Sequence, residues 1–443
     1  MTDAQGNRLQ TQNGVPGESS QRTSASEAPF ERDWLAVFYK VALSISRELE
    51  LQNLLLLIMN EVRTVLRADR CTVFLRDEET GELWSLAAHG EREIRFPAHL
   101  GIAGEVLRTG KMLNIPDAYQ DSRFNREIDQ RTGYRTRSVL AAPLRNRAGE
   151  VIGVFQVLNK EGGPFTREDE LLLDAISGLA ATQIENAQLY AEQKLFLERT
   201  IEALANSIDA RDPLTAGHSK RVALLCAELA KQLELGEDDR EKLRISALLH
   251  DYGKIGVRDY ILYKMDRLES REVQVMKDHP TKTREILERI RFPKKLRDVP
   301  LIASAHHERL DGSGYPLGLR GEEIPFLARV LAVADVFEAM TARRTYREPL
   351  HILEVVQEIQ AGAGVLYDPR CVQALCGISL LRFLEIHADG QPDFVLPQDH
   401  REILGGKTIG EFVRELTEGK TSLVRSLFEH YYRIAIRGGL VHA

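Results

Sequence analysis

Cysteine, tryptophan and methionine are scarce: four, two and six in 443 residues. Cys71, Cys226, Cys371 and Cys376 lack paired metal-ligand spacing and are too few for a disulfide scaffold, which predicts free thiols in a reducing compartment. Long apolar runs are missing too. The block LLLLIM at 54–59 is far short of the roughly 18 residues expected of a membrane span. The start, MTDAQGNRLQTQNG, has neither a basic nor an apolar leader region, so no secretory signal is expected. Positive charge is not in excess. A net charge of −7 argues against general nucleic-acid binding, although a pocket can still be positive locally. These absences predict a cytoplasmic protein with neither nucleic acid nor membrane as partner.

What is present is ordinary globular material, 43% apolar and 28% charged, in a chain long enough for two or three domains. Residues 1–32 are polar and read as a disordered tail. Over 33–190, helical spacing gives way to strand-like runs: CTVFLRDEETGELWSLAAHG and SVLAAPLRNRAGEVIGVFQVLNK each read as a hairpin. This predicts an α+β sensor domain, an antiparallel sheet flanked by helices. From DELLLDAISG to NSIDARD one long helix is expected, with 191–210 as a helical linker. Its apolar stripe, including Ile176, Ile184, Leu189 and Leu197, predicts a parallel coiled-coil homodimer. Residues 211–384 read as an all-α domain, and 385–443 as a helical extension without legible chemistry.

Histidines are clustered. His218, His250, His279, His306 and His307 all fall in the all-α segment, each on or at the end of an apolar helical stretch. Asp251 follows His250 directly, and Asp335 sits in LAVADVF. A lone buried His-Asp pair is usually a structural hydrogen bond, but this company is too large for one tetrahedral zinc and contains no thiolate. Two ions sharing Asp251 and a solvent bridge fit the count. Imidazole and carboxylate suit iron or manganese, with zinc, nickel or cobalt as alternatives. Such a pair activates water and clamps phosphate oxygens, which suits attack on a phosphodiester. Lys254, Arg344 and Arg347 carry the charge to meet a phosphate, and singly each would read as a surface cation.

HDYGK, HHE, DGSGYP and the AD of LAVADVF resemble the HD-GYP family over about residues 205–375, with RDPLTAGHSKRV and GVLYDPR resembling its opening and closing stretches. The resemblance implies an all-helical, metal-dependent phosphodiesterase that hydrolyses the bacterial messenger cyclic di-GMP to pGpG or GMP. It implies metal ligation by His218, His250, Asp251, His279, His306, His307 and Asp335, with Asp251 and Lys254 catalytic. It implies substrate contacts from Lys254, Tyr315, Arg344 and Arg347. Gly312 and Gly314 would let the GYP loop turn close to the metals. Several positions depart from the family pattern. Leu214 replaces a third-metal glutamate, so two ions are expected; Tyr263, Met265 and Asp266 alter a nearby loop; Thr283 stands for glycine and Glu338 for aspartate. Two further readings are a phosphodiesterase for a related dinucleotide such as cyclic GMP-AMP, and a weakly active receptor whose GYP loop docks GGDEF-domain diguanylate cyclases.

GIAGEVLRTG, DSRFN and TGYRTRS, followed by Asn159, Lys160, Phe165, Asp169 and Glu170, resemble GAF domains of the cyclic-nucleotide-binding kind. The resemblance implies that cyclic AMP or cyclic GMP contacts Thr72, Ile102, Ala103, Asp129, Thr132, Thr136 and Gln156. It also implies an ion pair between Lys160 and Asp169 that ties down a lid. GAF domains also serve as ligand-free dimerisation modules, and that alternative stays open. The combined expectation is signal transduction in which an effector on the GAF domain regulates the phosphodiesterase.

Overall fold

A computed structural model describes residues 29–85, 93–211, 217–264, 266–343, 349–389, 391 and 394–437. They divide into two compact units, one ending at Lys194 and the other beginning at Leu195.

The first unit opens with α1 (Pro29–Ile45) and α2 (Leu51–Val65), followed by β1 (Ala68–Arg76), β2 (Glu82–Ser85) and β3 (Ile94–Pro97). Next come α3 (Gly101–Thr109), β4 (Leu113–Ile115), α4 (Arg126–Thr132), β5 (Val139–Arg145) and β6 (Val151–Lys160). The strands form one antiparallel sheet in the order β3-β2-β1-β6-β5-β4. Both expected hairpins are present: Leu75 pairs with Trp84, and Leu144 with Gly153. Alternation along β1 divides the core. Cys71, Val73 and Leu75 pack with Ile58 and Val62 of α2 on one face, while Phe74 packs with Ile102 and Val106 of α3 on the other. The second face lines a cavity. Helix α5 (Arg167–Arg211) runs unbroken for 45 residues, as its proline-free stripe predicts.

The second unit is helical, as expected. It contains α6 (His218–Gln232), α7 (Glu237–Leu249), α8 (Asp259–Leu262), α9 (Ser270–Lys277), α10 (His279–Leu287) and α11 (Val299–Ser304). It continues through α12 (Phe326–Thr341), α13 (Ile352–Ala361), α14 (Pro369–Cys376) and α15 (Leu380–His387) to α16 (Gln398–Gly405), α17 (Ile409–Thr417) and α18 (Leu423–Arg437). Helix α12 is apolar nearly all round because it is buried nearly all round: Leu327 to Ala334, Phe337 and Thr341 are inside. The amphipathic α17 and α18 put Ile409, Phe412, Phe428 and Tyr432 into the core that also holds α6, α7 and α12. The C-terminal segment thus packs with the helices that bear the histidines. No helix among the described residues is long and apolar enough to cross a membrane. The four cysteines are unpaired.

Candidate functional site

Five segments bring the histidine cluster together. His218 is the first residue of α6, His250 caps the C-terminus of α7, His279 opens α10, His306 and His307 follow α11, and Asp335 lies within α12. Leu243, Ile245, Leu248 and Leu249 bury the last turns of α7 and so fix where His250 and Asp251 emerge. Close approach of α10 requires Gly253: a Cβ there would lie 2.0 Å from the His279 carbonyl oxygen. The turn is tied from the other side by Thr283, whose Oγ1 accepts from Gly253 N (2.8 Å) and donates to the His250 carbonyl (2.9 Å).

The candidate ligand atoms fall into two groups, with Asp251 between them. His218, His250 and Asp335 form one, and His279, His306 and His307 the other, with the facing atoms of each group within 4.8 Å of one another. In the first, His218 Nε2 is 3.3 Å from His250 Nε2 and 3.2 Å from Asp335 Oδ1. In the second, His279 Nε2 is 3.4 Å from His306 Nε2. Asp251 turns one oxygen to each: Oδ1 lies 3.1 Å from His279 Nε2, and Oδ2 lies 3.5 Å from His250 Nε2. Lys254 Nζ sits 2.7 Å from that second oxygen.

Burial makes this a strongly coupled set. It opposes charge on His218, but the Glu338 and Asp335 carboxylates outweigh it and raise the pKa to about 10. His250 is likewise raised against burial, by Asp251 and Asp335. His307 is driven down to about 3, chiefly by burial, and His306 falls well below its ordinary value through burial and its imidazole neighbours. Burial would raise Asp251 and Asp335, yet adjacent cations and imidazoles hold both well below the usual carboxylate range. The donor set fits divalent ions: imidazole and carboxylate atoms converge in two buried groups, and a bound cation would offset the buried negative charge of Asp251 and Asp335. His306 and His307 are held neutral, the form that ligates.

The GYP loop follows the last histidines. Glu308 is 2% exposed and accepts from Leu317 N (2.7 Å) and Leu319 N (3.0 Å), folding the loop back onto the HHE segment. A Cβ on Gly314 would lie 2.5 Å from Glu308 Cα, so only glycine permits this fold-back. Tyr315 stacks on His307 at 4.6 Å between ring centroids, and Lys277 Nζ stands 5.0 Å from the Tyr315 ring. Arg344, Arg347, Leu214 and Met265 lie outside the described residues. Tyr263 donates from its hydroxyl to the Arg211 carbonyl at 2.6 Å.

In the first unit, Thr72, Ile102, Ala103, Asp129, Thr136 and Gln156 line one cavity, together with Arg70, Asn125 and Tyr134. The Thr132 side chain lies outside the described ones. Asp129 and Thr136 are already engaged with each other: Asp129 accepts Thr136 N at 2.7 Å and Thr136 Oγ1 at 2.8 Å, and also Tyr119 Oη at 3.1 Å. Ile102 and Ala103 sit in the first turn of α3, where helix geometry leaves amides without intrahelical acceptors. Arg70 lies over the Tyr134 ring at 3.9 Å. Lys160 and Asp169 form an ion pair, and Asp169 also accepts from Thr166 N at 2.7 Å. Asn159 holds the neighbouring loop by accepting from Arg137 N (2.6 Å) and donating to the Arg135 carbonyl (3.0 Å).

Sequence reasoning missed the supporting layer. Glu338 and Thr283 stood out only as departures, Glu308 and Arg221 only as unassigned members of HHE and HSKRV, and Lys277 and Arg70 not at all. One signal was available: Arg221 and Glu338 each lie three residues after a candidate ligand in a helix, hence on its face.

Residues 202–371 match the HD domain family, and residues 50–184 match the GAF domain family. The chain thus contains one segment that matches each of these two families. It is 42% identical over 178 residues to a cyclic di-GMP phosphodiesterase response regulator of Xanthomonas campestris, covering 40% of this chain and 46% of that protein. It is 40% identical over 187 residues to a cyclic di-GMP phosphodiesterase of Thermotoga maritima, covering 42% and 50%. Over 208 residues it is 37% identical to 3'3'-cGAMP-specific phosphodiesterase 3 of Vibrio cholerae, covering 45% of each. The chain spans about half the length of these relatives. Together with HDYGK, HHE and DGSGYP, these matches are consistent with an HD-GYP family protein carrying a GAF domain.

Proposed function

We propose that this protein hydrolyses a cyclic dinucleotide at a two-ion centre, with cyclic di-GMP as substrate and a cyclic mononucleotide on the GAF domain as regulator. The observation that carries the first part is Asp251, whose two oxygens face separate histidine groups. His218, His250 and Asp335 would hold one ion, His279, His306 and His307 the other, with Asp251 between them and iron or manganese as the metal. When bound, the ions would activate water and polarise the phosphodiester. The remaining work falls to side chains. Lys254, restrained beside Asp251, offers a cation to a phosphoryl oxygen. Tyr315 offers a ring face for a base, and Arg344 and Arg347 would meet the second phosphate. Cyclic GMP-AMP is the second reading, favoured by the names of Vibrio cholerae relatives.

The regulatory part is supported by the cavity, which combines Thr72 and Gln156 with helix-terminal amides suited to a cyclic phosphate. The test is anaerobic purification of the full chain with metal analysis, then turnover of both dinucleotides with and without cyclic AMP or cyclic GMP. Two ions and turnover of cyclic di-GMP are expected. Asp251→Asn, which removes several kcal/mol of charge stabilisation, should lower the rate on the order of 10³-fold while leaving the fold intact. Absence of turnover with iron or manganese loaded refutes the enzyme reading. Failure of both mononucleotides to bind refutes the regulatory one.

A further inference from the structure

His218 is held differently from three other candidate ligands. His250, His279 and His306 each turn Nδ1 to the carbonyl three residues earlier: Ala247 at 2.7 Å, Met276 at 2.8 Å and Ala303 at 2.7 Å. Those local bonds place the proton on Nδ1 and aim Nε2 inward. His218 instead turns Nδ1 to a side chain far along the sequence, Oε2 of Glu338. Glu338 is 1% exposed, and its other oxygen is taken by Arg221 Nε at 2.7 Å and Nη2 at 2.6 Å. Both carboxylate oxygens are therefore committed, one to the imidazole and one to a guanidinium.

The geometry assigns Glu338 as the positioning residue for an ion held by His218, His250 and Asp335. It fixes His218 as the Nδ1–H tautomer, leaving the Nε2 lone pair for the metal. A carboxylate partner also makes the imidazole a stronger donor than a carbonyl does. Arg221, one turn along α6 from His218, holds the other Glu338 oxygen and offsets its buried charge. Because Asp335 and Glu338 are three residues apart on α12, one helix face supplies a ligand and the group that orients its neighbour. The inference rests on the proposed metal centre and concerns one of its two halves.

The test is titration of metal-free full-length protein with manganese, reading stoichiometry and affinity by calorimetry and electron paramagnetic resonance for the native chain, Glu338→Gln and Glu338→Ala. The native chain should bind two ions. Both variants should keep one at native affinity and bind the other about 10- to 100-fold more weakly. Glutamine should lose less than alanine, since its carbonyl can still accept from Nδ1–H; being isosteric, it keeps the test decisive if the alanine protein fails to fold. For both, kcat should recover as manganese is raised, with KM for the dinucleotide unchanged. Two ions at native affinity in the variants would overturn the assignment, as would equal weakening of both. A native chain that binds no ion would instead overturn the metal centre itself.

Discussion

His387 shows how far the site's electrostatics extend beyond its ligands. Its Nδ1–H donates to the Phe383 carbonyl at 3.0 Å, and Nε2 faces Thr341 Oγ1 at 3.0 Å, in the layer behind Glu338. Burial lowers its pKa from 6.5 to about 4. The unfolded imidazole therefore takes a proton as pH falls through about 6.5, while the folded one refuses it until near 4. Stability from this group is complete above 6.5 and lost as pH falls through that window. Between pH 7.5 and 4.5 the native chain should lose about 2–3 kcal/mol more than His387→Gln, measured by urea unfolding. Parallel pH profiles would mean that His387 carries no such penalty.

At this scale, legibility followed chemistry. His250 and Asp251 stand out because adjacent imidazole and carboxylate are rare on an apolar helix. Helix spacing puts Glu338 on the face of Asp335, but what Thr283 and Glu338 do there depends on contacts 30 and 120 residues away. A departure from a family pattern says only that something differs. Thr283, where the family pattern has glycine, bonds both sides of the His250 turn.

Among the elements, the GYP loop is the one with function built into its fastening. Two backbone amides, from Leu317 and Leu319, share the Glu308 carboxylate, while Leu317 itself is 61% exposed. Glu308→Gln turns one acceptor into a donor, breaking a charged hydrogen bond of about 1.5–3 kcal/mol. The loop should open: chymotrypsin should cut after Leu317 faster, and KM for the dinucleotide should rise about tenfold or more, with metal content unchanged. Native cutting rates in the variant would place the fastening elsewhere. The loop's glycines were visible in the sequence, but its anchor was not, since Glu308 meets Leu317 N and Leu319 N only once the loop folds back. Strands and helices were legible wherever period and turn chemistry agreed, as in the β5–β6 hairpin. Residues 385–443 read only as a helical extension, so the place of α18 in the core shared with α6, α7 and α12 required the structure.

For the whole molecule, the proposed regulation needs a path from one unit to the other, and α5 is the element common to both. Much of its apolar stripe is spent within the chain: Ile176 and Ile184 belong to the sensor core, and Ile201 and Ala205 to the helical core. Between those stretches, Leu189, Tyr190, Leu195 and Phe196 are 51%, 52%, 52% and 73% exposed. Leu189 and Phe196 are one heptad apart, the spacing at which a second copy of the helix would cover both. Burying such side chains is favourable by roughly 1.5–3 kcal/mol each, enough to bias association but not to hold each unit together. The full chain should therefore sediment as a dimer, and Leu189→Glu with Phe196→Glu should yield a monomer. If α5 transmits the signal through dimer packing, that monomer should keep basal turnover and bind cyclic mononucleotide normally, yet turnover should no longer respond to it. A monomer that still responds would place the coupling within a single chain, and a native chain that sediments as a monomer would remove the dimer altogether.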